Sequence, residues 1–151
     1  MSRPKKERVV HRPPLYADFK PTGIQRSGLE ALLLELDEYE ALRLADYIGM
    51  EHTEAATEME ISRSTFTRLI DKARKKISCF LIEGRPLHIG GGNIHFRGNL
   101  IQCHSCGHMF NVAFETNIDR CPGCGSKNLI DLAGGFGHGN CCRGHGHYGR
   151  R

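Results

Sequence analysis

Two CxxC pairs, Cys103 with Cys106 and Cys121 with Cys124, stand fourteen residues apart in the segment CHSCGHMFNVAFETNIDRCPGCG. A CxxC turn sets two thiolates on one metal ion while backbone amides point at the sulfurs. Two such turns supply the four ligands of a tetrahedral site. Gly107 and Gly125 directly follow the pairs and permit a tight turn at each, and Pro122 stiffens the second. Four thiolates close the coordination sphere, so the spacing predicts one structural ion, with no open position for a substrate. Zinc is the expected metal. Mononuclear iron in a rubredoxin-type site is the less favoured choice, because a fourteen-residue gap is short for that fold. His104 and His108 flank the first pair as alternative ligands or as exposed residues.

The rest of the chain sets this site in context. Seven cysteines in 151 residues, with no signal peptide, point to metal or redox chemistry in a cytoplasmic protein rather than a disulfide framework. The longest apolar runs, such as 31–34, are far short of a membrane span. No nucleophile–base pairing, phosphate loop or open metal site is visible, so no enzyme is expected. A thioredoxin-like redox pair would need a βαβ pattern around the cysteines, and none is present.

The net charge of +4 is unevenly spread. Residues 1–26 carry +5, residues 27–60 carry −9, residues 61–88 carry +5 and residues 89–151 carry +3. Basic blocks beside an acidic one fit a nucleic-acid binder with a separate acidic face, or an uneven solvated surface. Four of the six prolines fall in residues 1–26, which read as an extended basic arm. Arg3, Lys5, Lys6, Arg8 and Arg12 in that arm are suited to phosphates or a minor groove.

Residues 27–89 read as a helical domain. Leu29, Leu32, Leu33 and Leu36 recur at helical spacing, and Asp37 with Glu40 has the form of an N-cap and its capping-box partner. That helix is expected to run to about Tyr47, with Gly49 ending it. A short helix near 53–59 and a longer one capped by Ser62 follow. Phe66, Leu69, Ile70, Ala73, Ile77, Phe80 and Leu81 form one apolar stripe on the longer helix. Cys79 lies at its edge and reads as a core residue.

The segment HTEAATEMEISRSTFTRLID at 52–71 has the helix-turn-helix register, with small Ala56 at the helix crossing. A recognition helix presents a polar, partly basic face at its N-terminal end. Arg63, Ser64, Thr67, Arg68 and Lys72 are the candidates for that face, with Arg63 or Arg68 suited to a guanine edge. Glu60 sits at the turn, where such motifs usually carry Gly. If the turn needs the left-handed conformation, a non-Gly residue there costs about 1–2 kcal/mol.

Residues 90–98, with GGG at 90–92, read as a linker. Short strands around NLIQC and KNLIDL then frame a small β domain at 99–133, and CHSCGH and CPGCG look like the two knuckles of a zinc ribbon. Residues 134–151 are rich in Gly, His and Cys and read as a disordered tail. His138, Cys141, Cys142, His145 and His147 in it are either a second site for Zn, Ni or Cu or incidental side chains.

The SRSTFTRLIDKARKKI segment with its preceding helices resembles region four of bacterial sigma factors. MSRPKKERVV, FKPTG, LDEYEALRLAD, SRSTFTRLIDKARKKI and LIEGRPLHIGGG, in that order, resemble one prokaryotic family, uncharacterised protein family 0251 or domain of unknown function 134. The resemblance covers about residues 1–92. It implies a DNA-binding regulator with a sigma-like helix-turn-helix, and Glu60 departs from the Gly the family usually shows. The expected partners are double-stranded DNA, a second copy of the chain, and RNA polymerase or another protein. Metal- or redox-responsive regulation, and a metal carrier whose helical domain docks a partner, are the rival readings. The expected fold is a mainly α helix-turn-helix domain followed by a small β zinc ribbon and the tail.

Overall fold

The computed structural model describes residues 7–23, 30–114 and 116–136. The elements run β1 (Arg8–Val10), β2 (Asp18–Phe19), β3 (Leu32–Leu34), α1 (Leu36–Leu42), α2 (His52–Met59), α3 (Arg63–Glu83), β4 (Leu87–Ile89), β5 (Ile94–Phe96), β6 (Gly98–Cys103), β7 (Met109–Ala113), β8 (Leu129–Asp131) and a short α4 (Leu132–Gly135). A π-helical turn, Arg43–Ile48, extends α1 to Gly49, which adopts φ 93° and ends it.

Helices form the centre, and α3 is their spine. Its capping residue is Ser62, whose Oγ accepts from the Thr65 amide at 3.2 Å. Phe66, Leu69 and Ile70 pack against Ala41 and Leu44 of the first helix and Ala55, Ala56 and Met59 of α2. Farther along, Ala73, Ile77 and Phe80 pack on the strands through Leu34, Leu87, Ile89 and Phe96. The apolar stripe ends there: Leu81 turns away and is 70% exposed. Cys79 is half-buried.

The leucine run at 32–34 is a strand and not helix. β3 pairs in parallel with β4, which pairs on its other edge antiparallel with β2. A short apolar run fits a buried strand as well as a helix, and periodicity alone does not separate them. The start of α1 also differs from expectation. Its N-cap is Glu35, and Glu38 Oε1 accepts from the Glu35 amide at 2.9 Å. Asp37 and Glu40 are instead buried, at 3% and 0% exposure, and bind residues far off in sequence.

These buried acids anchor much of the basic surface. Asp37 pairs with Arg8. Glu40 accepts from the His11 amide at 2.8 Å and from Arg43 at 2.6 Å. Glu38 meets Lys76 of α3 at 2.6 Å. The stretch read as an arm is thus built into the fold from Arg8 onward, with β1 pairing in parallel with β5. β5 itself falls in the stretch read as a linker, and the core that holds Val10 and Phe96 also takes in Ala133, with Phe114 and Phe136 against it. Lys5, Lys6 and Arg3, and the tail residues His138, Cys141, Cys142, His145 and His147, lie outside the described residues.

Glu60 takes the left-handed conformation, φ 58° and ψ 42°, as the C-cap of α2. Its carboxylate pairs with Arg97, just before β6. The backbone strain of about 1 kcal/mol outweighs an exposed ion pair of about 0.2–1 kcal/mol. Glu60→Gly is therefore expected to be at least as stable as the wild type, and Glu60→Ala less stable than Glu60→Gly by about 1 kcal/mol, in urea denaturation. The reverse order would mean that the side chain, and not the backbone, sets the cost.

Candidate metal centre and α3 surface

β6, β7 and β8 form an antiparallel sheet with β6 in the middle, and the four cysteines gather at one end of it. Asn99 ties this sheet together, accepting from the Leu100 and Ala133 amides and donating to Asp131. The two CxxC turns are built alike. In the first, the Cys103 amide donates to the His108 carbonyl at 2.8 Å and the Gly107 amide to the Cys103 carbonyl at 2.9 Å. In the second, Cys121 donates to the Ser126 carbonyl and Gly125 to the Cys121 carbonyl, both at 2.8 Å. Gly107 and Gly125 have φ of 78° and 77°, a region where a side chain would be strained. Ser105 and Ser126 join the turns, their hydroxyls 2.8 Å apart.

This geometry brings the sulfurs together. Cys103 lies 3.6 Å from Cys124, and Cys106 lies 3.6 Å from Cys121. All four sulfurs are within 4.8 Å of one another. Zinc–sulfur bonds near 2.3 Å put tetrahedral ligands roughly 3.8 Å apart, so the spacing fits one ion. Backbone N–H groups of Cys106 and Ser105 hold the Cys103 thiol down at about 6. The Ser126 N–H pulls the Cys124 thiol down, but the Cys103 sulfur and burial outweigh it and push it up to about 12. Four thiolates this close repel one another unless a cation sits among them. His104 and His108 are exposed and outside the cluster, and the His108 ring stacks on Phe110 at 5.6 Å.

The second candidate surface is the outer face of α3. Arg63, Ser64, Arg68 and Lys72 are exposed on it, with Lys75 beside them and Asp71 interrupting the basic row. No ion pair or side-chain hydrogen bond among the described residues engages Arg63, Arg68, Lys72 or Lys75. The other cations of α3 are held: Arg74 by Asp46 at 2.7 Å, Lys76 by Glu38. Thr67 is also committed inward. Its hydroxyl donates to the Arg63 carbonyl at 3.1 Å, leaving its lone pairs to His52 Nδ1 at 3.2 Å. That ring packs edge-on against Phe66. The spacing of Thr67 on the polar face gave no hint of His52, fifteen residues earlier.

Residues 1–97 match the family described as Protein of unknown function DUF134. A UPF0251 protein of Chloroherpeton thalassium is 46% identical over 132 residues, 87% of each chain. One of Pelotomaculum thermopropionicum is 42% identical over 128 residues, 85% of this chain and 96% of its own. One of Moorella thermoacetica is 37% identical over 149 residues, 99% of this chain and 97% of its own. The family match stops short of the cysteines, but an alignment of 132 residues in a chain of 151 cannot avoid them. The likeness that begins in the helices therefore continues through the metal-centre segment, and the chain belongs to the DUF134 family of UPF0251 proteins.

Proposed function

We propose that this chain is a double-stranded DNA-binding protein, a transcriptional regulator, in which α2, the turn at Glu60 and α3 act as a sigma-like helix-turn-helix. The observation that carries the reading is the outer face of α3. Arg63, Arg68, Lys72 and Lys75 are exposed there and unpaired among the described residues, while Arg74 is held by Asp46 and Lys76 by the buried Glu38. Unpaired cations beside a capped helix N-terminus suit a phosphate backbone and a major-groove edge. The arginines are placed to meet bases, Ser64 is exposed beside them with its hydroxyl 3.3 Å from that of Ser62, and Thr67 supports the helix pair. Arg3, Lys5 and Lys6, outside the described residues, extend the same cationic character by sequence alone.

In this reading the four cysteines hold one structural zinc, whose two charges offset the thiolates, in a zinc ribbon that supports the helical part. A second copy of the chain would bring two α3 helices to paired half-sites. The test is affinity for random-sequence duplex DNA across salt. Three to five phosphate contacts predict a log–log slope of about −3 to −5. A slope near zero would sink the DNA reading and favour the metal-carrier one. Metal-responsive regulation has one observation of its own: Arg97, directly before β6, pairs with Glu60 in the turn, so the segment leading into the ribbon touches the proposed DNA-reading unit.

A further inference from the structure

A strap at residues 12–19, the helices and the β6–β8 sheet line an open-sided cavity of about 830 Å³. Its size is within the range of small-molecule sites. Tyr39, Leu42, Ile77 and Phe80 form one wall, half-buried, with their backs against the core. Leu15 and Phe19 of the strap, 45% and 43% exposed, and Met109 of β7 also line it. The polar groups converge at one corner. There Arg12 lies 3.4 Å from the Asn111 side chain. Tyr39 and Arg43 line the cavity with Arg12, and burial pushes the Tyr39 phenol up against the pull of the two guanidiniums. Arg43 is neutralised by Glu40, and Asp46 by Arg74. Of the two lining cations, Arg43 has its acid and Arg12 has none among the described residues.

An apolar chamber with one unneutralised cation and a few convergent donors matches a particular kind of ligand. We propose that this cavity binds a small hydrophobic carboxylate, its apolar body between the Phe19 and Phe80 walls and its head group on Arg12, Asn111 and Tyr39. The ligand would join the strap to α3, because Ile77 and Phe80 belong to the helix whose other end carries Arg63 and Arg68. Only that coupling rests on the DNA reading, and the binding site is tested without DNA.

The probe is the fluorescent anion 8-anilinonaphthalene-1-sulfonate, titrated into the folded full chain, with decanoate and neutral decanol as competitors. The site predicts saturable binding of one dye per chain, displaced by decanoate at concentrations at least tenfold below those decanol needs. Arg12→Gln should weaken the dye about tenfold. Met109→Trp, which narrows the chamber, should weaken binding severalfold, and Phe19→Ser, on an exposed part of the lining, should do the same if the first substitution perturbs the fold. Absence of saturable binding overturns the proposal. So does dye binding unchanged in Met109→Trp and Phe19→Ser, and equal competition by decanol and decanoate overturns the anionic head group. Loss of salt-sensitive DNA affinity would leave these outcomes untouched.

Discussion

Cys121→Ser is expected to lower bound metal from one ion per chain to less than a tenth, and to remove amide protection from β6, β7 and β8 while α1–α3 keep theirs. The sheet has little else to hold it. Leu100 and Ala133 are its buried apolar side chains apart from the cysteines themselves. With a metal on its four cysteines, a module with so small a core would draw folding free energy from the ion, and the free energy of metal binding would then be folding free energy. Metal analysis by mass spectrometry, with hydrogen exchange on the same samples, reads both effects. Full metal content in the variant would show that His104 or His108 takes the vacant position. Intact protection without metal would show that the sheet stands on its hydrogen bonds, Asn99 among them.

Lys76→Ala is expected to destabilise the helical part by about 3–5 kcal/mol. Glu38 is 1% exposed, and one of its carboxylate oxygens has no partner. Its other oxygen serves both Lys76 and the Glu35 amide. Removing the ammonium leaves a buried charge that pairs with no other cation among the described residues. The penalty belongs to the unpaired charge and not to the bond, so Glu38→Leu combined with Lys76→Met should recover most of it. Urea denaturation of the three proteins separates these cases. A loss below about 1 kcal/mol in Lys76→Ala would contradict this account of the Glu38–Lys76 pair.

What could be read from the sequence was local. The metal centre is written in two four-residue turns and their glycines, so its ligands are recognisable before any fold is known. Ser62 and the stripe from Phe66 to Phe80 likewise lie within one helix, and their period of 3.6 reveals them. The exposed cations of α3 follow from the same periodicity. The misreadings arise where pairing is remote. Nothing near Asp37 and Glu40 tells that they bury against Arg8 and His11, 29 residues earlier. A capping box was the nearest local pattern, and Glu35 with Glu38 fulfils it one turn edge sooner. Leu32–Leu34 is a strand because β4 lies beside it, which no local period encodes. The arm and the linker meet as β1 and β5 across more than eighty residues. The cavity is the extreme case, since its corner takes Arg12, Tyr39 and Asn111 from three separate parts of the chain.

Glu60 shows the opposite relation. Its position and its conformational cost are both legible from sequence, and the left-handed backbone is there. Its partner Arg97 is not, because the ion pair crosses 37 residues. That contact matters to the account, since it links the segment leading into the metal centre to the turn before α3.

The central claim is that the outer face of α3 meets DNA. It is tested most directly by measuring duplex affinity across salt for the full chain and for Arg63→Ala/Arg68→Ala, with thermal melts to verify folding. Both residues are exposed and unpaired among the described residues, so the melts should coincide. Losing two phosphate or base-edge contacts predicts a salt slope shallower by about 2 and an affinity lower by about 10²-fold at low salt. Identical slopes and affinities in the two proteins would contradict the claim.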